Sequence, residues 1–152
     1  MRQKARILVV DDDATIGTAI KEVLLREGLE ADIACSGEEA IRKSNDRFYN
    51  LALVDIRLPD MDGTKLLTEM KKTVPKMRKI IITGYPDMQN VIASIKAAAD
   101  DYIIKPAKPS ELVSAVIQQL QQQFEENEYT ELLEEKFREF IESRMKELTT
   151  VQ

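Results

Sequence analysis

Four apolar runs end in residues able to do chemistry. Arg6-Ile7-Leu8-Val9-Val10 runs into Asp11-Asp12-Asp13, and Leu51-Ala52-Leu53-Val54 runs into Asp55. Lys79-Ile80-Ile81-Ile82 ends at Thr83-Gly84, and Tyr102-Ile103-Ile104 ends at Lys105-Pro106. As parallel strands these runs would deliver their last residues to one sheet edge, where open α/β folds bind ligands. Carboxylates brought together there repel one another unless a cation joins them. A few carboxylates with room for water and a phosphate oxygen suit Mg²⁺, whereas Zn²⁺ calls for His or Cys. Beside such an ion, Asp55 has the chemistry of a nucleophile that takes a phosphoryl group as an acyl phosphate. Lys105 and the metal would stabilise charge on the phosphoryl oxygens, and the Thr83 hydroxyl would donate to one of them.

The elements that must position these residues alternate five times. Strands read at about 6–11, 30–34, 50–55, 78–83 and 101–104. Between them, Ile16, Ala19, Ile20, Val23 and Leu24 recur with helical spacing, and Gly28 follows as a C-cap. Ser36 opens a second helix, and Leu66, Leu67 and Met70 mark a third that ends before Pro75. Asp87 caps a fourth, and Pro109 starts a fifth with Val113, Val116, Ile117, Leu120 and Phe124 on its inner face. Continuous apolar strands alternating with helices predict an α/β fold with a parallel sheet covered on both faces. After Phe124 comes polar Glu125-Glu126-Asn127-Glu128, and a separate amphipathic helix is expected at about 130–148. Its apolar stripe should fold back on the domain, pair with another copy or dock on a partner.

Composition closes off several classes of function. With no histidine in 152 residues, the chain supplies no imidazole base, His ligand or phosphohistidine. The net charge is −5, and nine Glu against four Lys or Arg from Val113 to Gln152 account for all of it. An acidic tail on a neutral body carries no electrostatic footprint for nucleic acid. No apolar run is long enough to cross a membrane, and the start reads as no export signal. The single Cys35 fits a reducing, cytoplasmic setting.

The stretches Val9-Val10-Asp11-Asp12-Asp13, Asp55-Ile56-Arg57-Leu58-Pro59-Asp60-Met61-Asp62-Gly63, Ile82-Thr83-Gly84-Tyr85 and Asp101-Tyr102-Ile103-Ile104-Lys105-Pro106 resemble receiver domains of two-component response regulators. The resemblance spans about residues 4–124. It implies a flavodoxin-like (βα)5 fold with strand order 2-1-3-4-5 and a receiver domain over 1–124, which leaves the amphipathic helical tail or linker read above over 125–152. It implies Asp55 as phosphoacceptor, and Mg²⁺ held by Asp12, Asp55 and the backbone carbonyl of Arg57, with Asp11 helping through water. Thr83 and Lys105 would contact the phosphoryl group. Tyr102 would be the aromatic whose rotamer follows Thr83, although by spacing alone it reads as a core residue. The Lys105-Pro106 bond would be cis. A sensor histidine kinase or phosphotransfer protein would donate the phosphoryl group. The face of the fourth helix, fifth strand and fifth helix would then change for a downstream protein. Thr83-Gly84-Tyr85-Pro86-Asp87 is similar to a sequence in receivers of enhancer-binding regulators, so the chain reads either as a stand-alone receiver or as part of a larger regulator. The tail would serve as a homodimer element in both.

Two other readings compete. Val9-Val10-Asp11-Asp12-Asp13-Ala14-Thr15 also resembles the first motif of haloacid dehalogenase-like phosphatases, with Asp11 as nucleophile and Asp13 as general acid. Asp100-Asp101 would then belong to a later motif, yet it precedes its strand instead of ending it. A receiver-like scaffold that is never phosphorylated is the other, against which the intact carboxylate set argues. Asp60 and Asp62 are expected to shape a turn and not to bind metal.

Overall fold

A computed structural model describes residues 4–150; the ends of the expected segments 1–124 and 125–152 lie outside that range. Five strands and five helices alternate: β1 (Arg6–Val10), α1 (Ala14–Arg26), β2 (Glu30–Ala34), α2 (Gly37–Asp46), β3 (Leu51–Asp55), α3 (Gly63–Glu69), β4 (Arg78–Thr83), α4 (Met88–Lys96), β5 (Asp101–Ile104) and α5 (Pro109–Thr150). All neighbouring strands are parallel, in the order β2-β1-β3-β4-β5. This is the flavodoxin-like order that the resemblance implies.

Strand periodicity sorts the core onto two faces. Leu8, Val10, Ala52, Val54 and Ile81 pack with Ala40, Leu66 and Leu67 of α2 and α3. Ile7, Val9, Leu51, Leu53, Ile80 and Ile82 point the other way, onto Ile20 and Leu24 of α1 and Leu112 and Val116 of α5. With both faces covered, β3 is buried at all five residues.

Helix ends follow local chemistry. Asp13, Ser36, Asp62 and Asp87 each accept backbone N–H bonds as N-caps of α1 to α4. Gly28, at φ 79°, closes α1 as expected. α4 stops without a glycine: Ala98 takes the left-handed conformation, at φ 60°, and Ala99 N–H bonds back to the Ser94 carbonyl. Nothing in Ala97-Ala98-Ala99 announces that stop.

The tail departs from expectation. It is helical, but no break separates it: α5 runs unbroken for 42 residues. No Gly or Pro follows Pro109, and Glu and Gln are good helix formers, so the polar stretch at 125–128 does not interrupt the hydrogen-bond ladder. Tertiary contacts hold the turns leading into that stretch and reach it at Glu126. The Arg78 guanidinium donates to Gln119 Oε1 at 2.7 and 2.9 Å, to Gln122 Oε1 at 3.0 Å and to the Glu126 carboxylate at 3.2 Å. Buried Gln123 donates to the carbonyls of Asn50 and Lys76 and accepts from the Asn50 amide. The helix therefore leaves the domain in a direction set by β4 and by the residues before β3.

A second polar contact, half-buried, lies between β2 and the residues before β3. The Tyr49 hydroxyl, on a fully buried side chain, donates to Asp32 Oδ2 at 2.7 Å, and Arg47 donates to the same oxygen at 3.2 Å. Burial raises the Asp32 pKa, but the Tyr49 and Arg47 hydrogen bonds outweigh it and hold the carboxyl below its usual range. A depressed folded pKa contributes stability above the unfolded value of roughly 3.9 and loses it as pH falls through the folded value. Tyr49→Phe should therefore cost about 1 kcal/mol near neutrality. In urea titrations the gap from the parent should close as pH drops below about 4.

Candidate functional site

β1 and β3 are neighbours, with Val10 in register with Val54, so the residues that follow, Asp11 and Asp55, meet at the carboxyl edge. This edge is where the strand order reverses direction, the crevice of a doubly wound sheet. Carboxylate oxygens of Asp11, Asp12 and Asp55 all lie within 4.8 Å of one another. Asp11 and Asp55 are buried, and Asp12 is open to solvent. Three oxygen donors with one solvent-facing side fit a hard divalent ion that keeps some of its water.

Lys105 arrives from the end of β5 and spans the two buried carboxylates. Its Nζ donates to Asp11 Oδ2 and to Asp55 Oδ2, both at 2.8 Å. Burial pushes the ammonium down, but the paired hydrogen bonds and charges of Asp11 and Asp55 more than reverse this and hold it above the ordinary lysine range. The other carboxylate oxygens are taken by backbone: Asp13 N–H donates to Asp11 Oδ1 at 2.9 Å and Arg57 N–H to Asp55 Oδ1 at 3.2 Å. The Lys105-Pro106 peptide is cis, as expected, and so is Val74-Pro75, which nothing in the sequence signals.

Asp55 is in register with Ile82, one residue before Thr83. The Thr83 side chain is fully buried, and its Oγ1 accepts from Tyr85 N–H at 3.0 Å. Lys105 N–H donates to the Thr83 carbonyl at 2.8 Å, so the ends of β4 and β5 are tied together. Tyr102, in register with Ile81, packs half-buried against the α2/α3 side of the core. Its buried hydroxyl has no hydrogen-bond partner among the described residues. Burial, with Asp87 adding to it, raises this phenol's pKa.

The loop after Asp55 is built by the turn residues. Asp60 accepts from Gly37 N–H and Glu38 N–H, both at 2.9 Å, bracing the loop against the start of α2. Asp62 caps α3, and neither residue joins the acidic cluster. Two contributors are not visible in the sequence pattern. The Arg57 guanidinium stacks on Tyr85 at 3.5 Å from the ring centre, linking the loops after β3 and β4 over the site. Gly63 N–H donates to the Ile56 carbonyl at 2.7 Å, at a place where any side chain would run into the Asp55 backbone.

The phosphatase reading does not fit this geometry. Asp13 caps α1 with its carboxylate turned onto Thr15 and Ile16 N–H. Asp100 lies at the opposite end of the sheet, accepting from Lys79 N–H at 2.8 Å and pairing with Arg78.

Comparison with known proteins agrees with the fold. A family model described as the response regulator receiver domain matches residues 7–117. The chain is 34% identical over 112 residues to the chemotaxis protein CheY of Thermotoga maritima, covering 73% of this chain and 93% of that protein. It is 35% identical over 106 residues to the transcriptional regulatory protein ZraR of Salmonella typhimurium, covering 70% of this chain but only 24% of ZraR. The chain thus spans about a quarter of the length of such regulators. Among solved structures, a CheY-like receiver domain protein from Methanospirillum hungatei is 44% identical with a TM-score of 0.78, covering 82% of this chain and 99% of that one. NtrX of Brucella abortus is 32% identical with a TM-score of 0.78, covering 86% of this chain and 30% of that one. The chain belongs to the receiver-domain family of two-component response regulators.

Proposed function

We propose that Asp55 accepts a phosphoryl group from a sensor histidine kinase or phosphotransfer protein and that the phosphorylated state switches a protein partner. The observation that carries this is Lys105 Nζ bridging Asp11 and Asp55 at 2.8 Å inside a three-carboxylate cluster. An Asp55 oxygen forms the new O–P bond as the donor's P–N bond breaks, and the donor imidazole leaves. Mg²⁺, held by Asp12, Asp55 and the Arg57 carbonyl with Asp11 behind water, would neutralise charge on the phosphoryl oxygens. Lys105 turns from the carboxylates to a phosphoryl oxygen, and Thr83 gives up its bond from Tyr85 N–H to donate to another. Tyr102, with an unpartnered hydroxyl in a half-buried site, follows into the space this leaves. The switch is a shift between two states and not turnover of a substrate, so the chain is not a conventional enzyme.

The readout would be the face of α4, β5 and α5, where Ile92, Ile95 and Ile104 are 44%, 72% and 54% exposed. No described helix is long and apolar enough to cross a membrane. The kinship to longer transcriptional regulators supports a role as the input module of such a protein.

Intact-mass spectrometry after incubation with acetyl phosphate and Mg²⁺ tests this reading. One alkali-labile phosphoryl adduct is expected, absent without metal and absent in Asp55→Asn. No adduct on folded protein would favour the unphosphorylated scaffold. An adduct that survives Asp55→Asn but is lost in Asp11→Asn would return the phosphatase reading.

A further inference from the structure

Beyond the receiver, α5 runs on from Glu125 to Thr150 as 26 residues, about 39 Å of helix at 1.5 Å per residue. It carries Tyr129, Leu132, Leu133, Phe137, Phe140, Ile141, Met145 and Leu148, each between 44% and 72% exposed. A stripe of that size on an isolated helix is unfavourable in water and calls for a cover. The receiver of the same chain does not provide one. The Arg78 clamp on Gln119, Gln122 and Glu126 and the absence of Gly or Pro beyond Pro109 direct the rod away from the domain.

We infer that the cover is the same segment of a second copy, packed antiparallel. Three features of the segment select both the partner and the direction. First, its seam reads the same both ways. Tyr129, Leu133, Phe137, Phe140, Arg144 and Leu148 are spaced 4, 4, 3, 4 and 4 residues apart, an eleven-residue rhythm that keeps one face of a nearly straight helix in line. Reversed about the point between Arg138 and Glu139, Tyr129 meets Leu148 of the second copy, Phe137 meets Phe140, and flanking Leu132 meets Met145.

Second, charge is polarised along the segment. Residues 125–135 hold six Glu and no Lys or Arg, whereas residues 136–150 hold four Lys or Arg against three Glu. A parallel pair would set the two acidic halves side by side. An antiparallel pair sets each acidic half against the half that holds every basic residue, and complementary charge of this kind fixes register and orientation.

Third, the one polar member of the seam is Arg144. Parallel packing lays it against Arg144 of the second copy, a like-charge contact in the seam. Antiparallel packing lays it at the level of Leu133, where the next residue, Glu134, supplies a carboxylate. The reach is sufficient as well: with the pair centred there, each receiver sits beyond the far end of its partner's described helix. The dimer would hold two receivers apart at opposite ends of a rod. It does not depend on whether Asp55 is phosphorylated.

Sedimentation of the full chain combined with disulfide trapping tests this. On a Cys35→Ser background, Tyr129→Cys protein mixed with Leu148→Cys protein should give, on oxidation, mainly the mixed 129–148 disulfide. Tyr129→Cys alone should cross-link poorly. The unmodified chain should sediment as a dimer. Phe137→Glu with Phe140→Glu should sediment as a monomer, with the receiver's own unfolding transition unchanged. A monomer across the micromolar range would overturn the proposal, as would preferred 129–129 disulfides or a dimer untouched by the two glutamates. In the last case the contact is elsewhere, and in the first the stripe belongs to another protein.

Discussion

Gly63→Ala is expected to lose at least about 3 kcal/mol of stability, because the new methyl group must overlap backbone and not a movable side chain. A Cβ on Gly63 would stand 2.1 Å from the Asp55 carbonyl oxygen, 2.9 Å from its carbon and 3.0 Å from Ile56 Cα. No rotamer relieves those contacts. Either the first turn of α3 moves out, breaking the Gly63 N–H bond to Ile56, or the end of β3 moves, taking Asp55 with it. Urea unfolding should show the lost stability, and whatever fraction stays folded should acquire phosphoryl label from acetyl phosphate much more slowly than the parent. Gly84→Ala is the control. Its added Cβ meets only Lys105 Cβ, at an ordinary 4.0 Å, so it should sit within about 0.5 kcal/mol of the parent. Equal behaviour of the two variants would mean that the close approach at Gly63 is readily relieved.

Lys105→Met is expected to affect both stability and chemistry. It removes two 2.8 Å charge-assisted bonds and leaves the Asp11 and Asp55 carboxylates, 2% and 11% exposed, facing each other without their cation. Breaking a largely buried pair from one side costs about 3 kcal/mol, the low end of the usual range because the lysine side chain is 20% exposed. The sign with pH follows from the raised lysine pKa. A folded pKa above the unfolded one gives stability that is fully present below the unfolded value of roughly 10.4 and disappears as pH rises through the folded value. The gap between parent and Lys105→Met should thus be flat around neutrality and narrow above about pH 10. Mg²⁺ should raise the thermal midpoint of the variant more than that of the parent, since an ion bound only by the folded carboxylates restores the missing charge. Phosphorylation of Asp55 by acetyl phosphate should slow by roughly 10²- to 10³-fold, the usual effect of removing one positioned donor from a developing anion. An unchanged rate would place Lys105 outside the reaction and leave it a structural counterion.

Much of the fold is legible in the residues themselves, for a physical reason. Helix starts are local events: Ser36 and Asp87 announce α2 and α4 because a cap is made within three residues. Gly28 announces the end of α1 in the same way. Strand runs such as Leu51–Asp55 are readable because a strand buried on both faces must be apolar throughout. The stop of α4 at Ala98 is not readable, since an alanine there goes against local preference and the surrounding packing imposes it. The continuity of α5 is half readable, since no Gly or Pro breaks the chain after Pro109. The residues that brace it, Arg78 and Asn50, are 41 and 73 positions distant from Gln119 and Gln123.

The site divides along the same line. Residue types and local period already mark which residues end the strands: Asp11, Asp12, Asp55, Thr83 and Lys105, a set whose chemistry points to a cation and a phosphoryl group. That all five share one edge follows from the strands being parallel, which the alternation of strand and helix already implied. Which of them touch was decided only by the tertiary structure. Placing β1 next to β3 makes Asp11 face Asp55, and the twist that brings the end of β5 near them lets one ammonium reach both. The Arg57–Tyr85 stack and the lack of room for a side chain at Gly63 beside Asp55 belong to that level too. A single chain shows residue type and local period, whereas contact between residues far apart in it depends on strand order, register and packing.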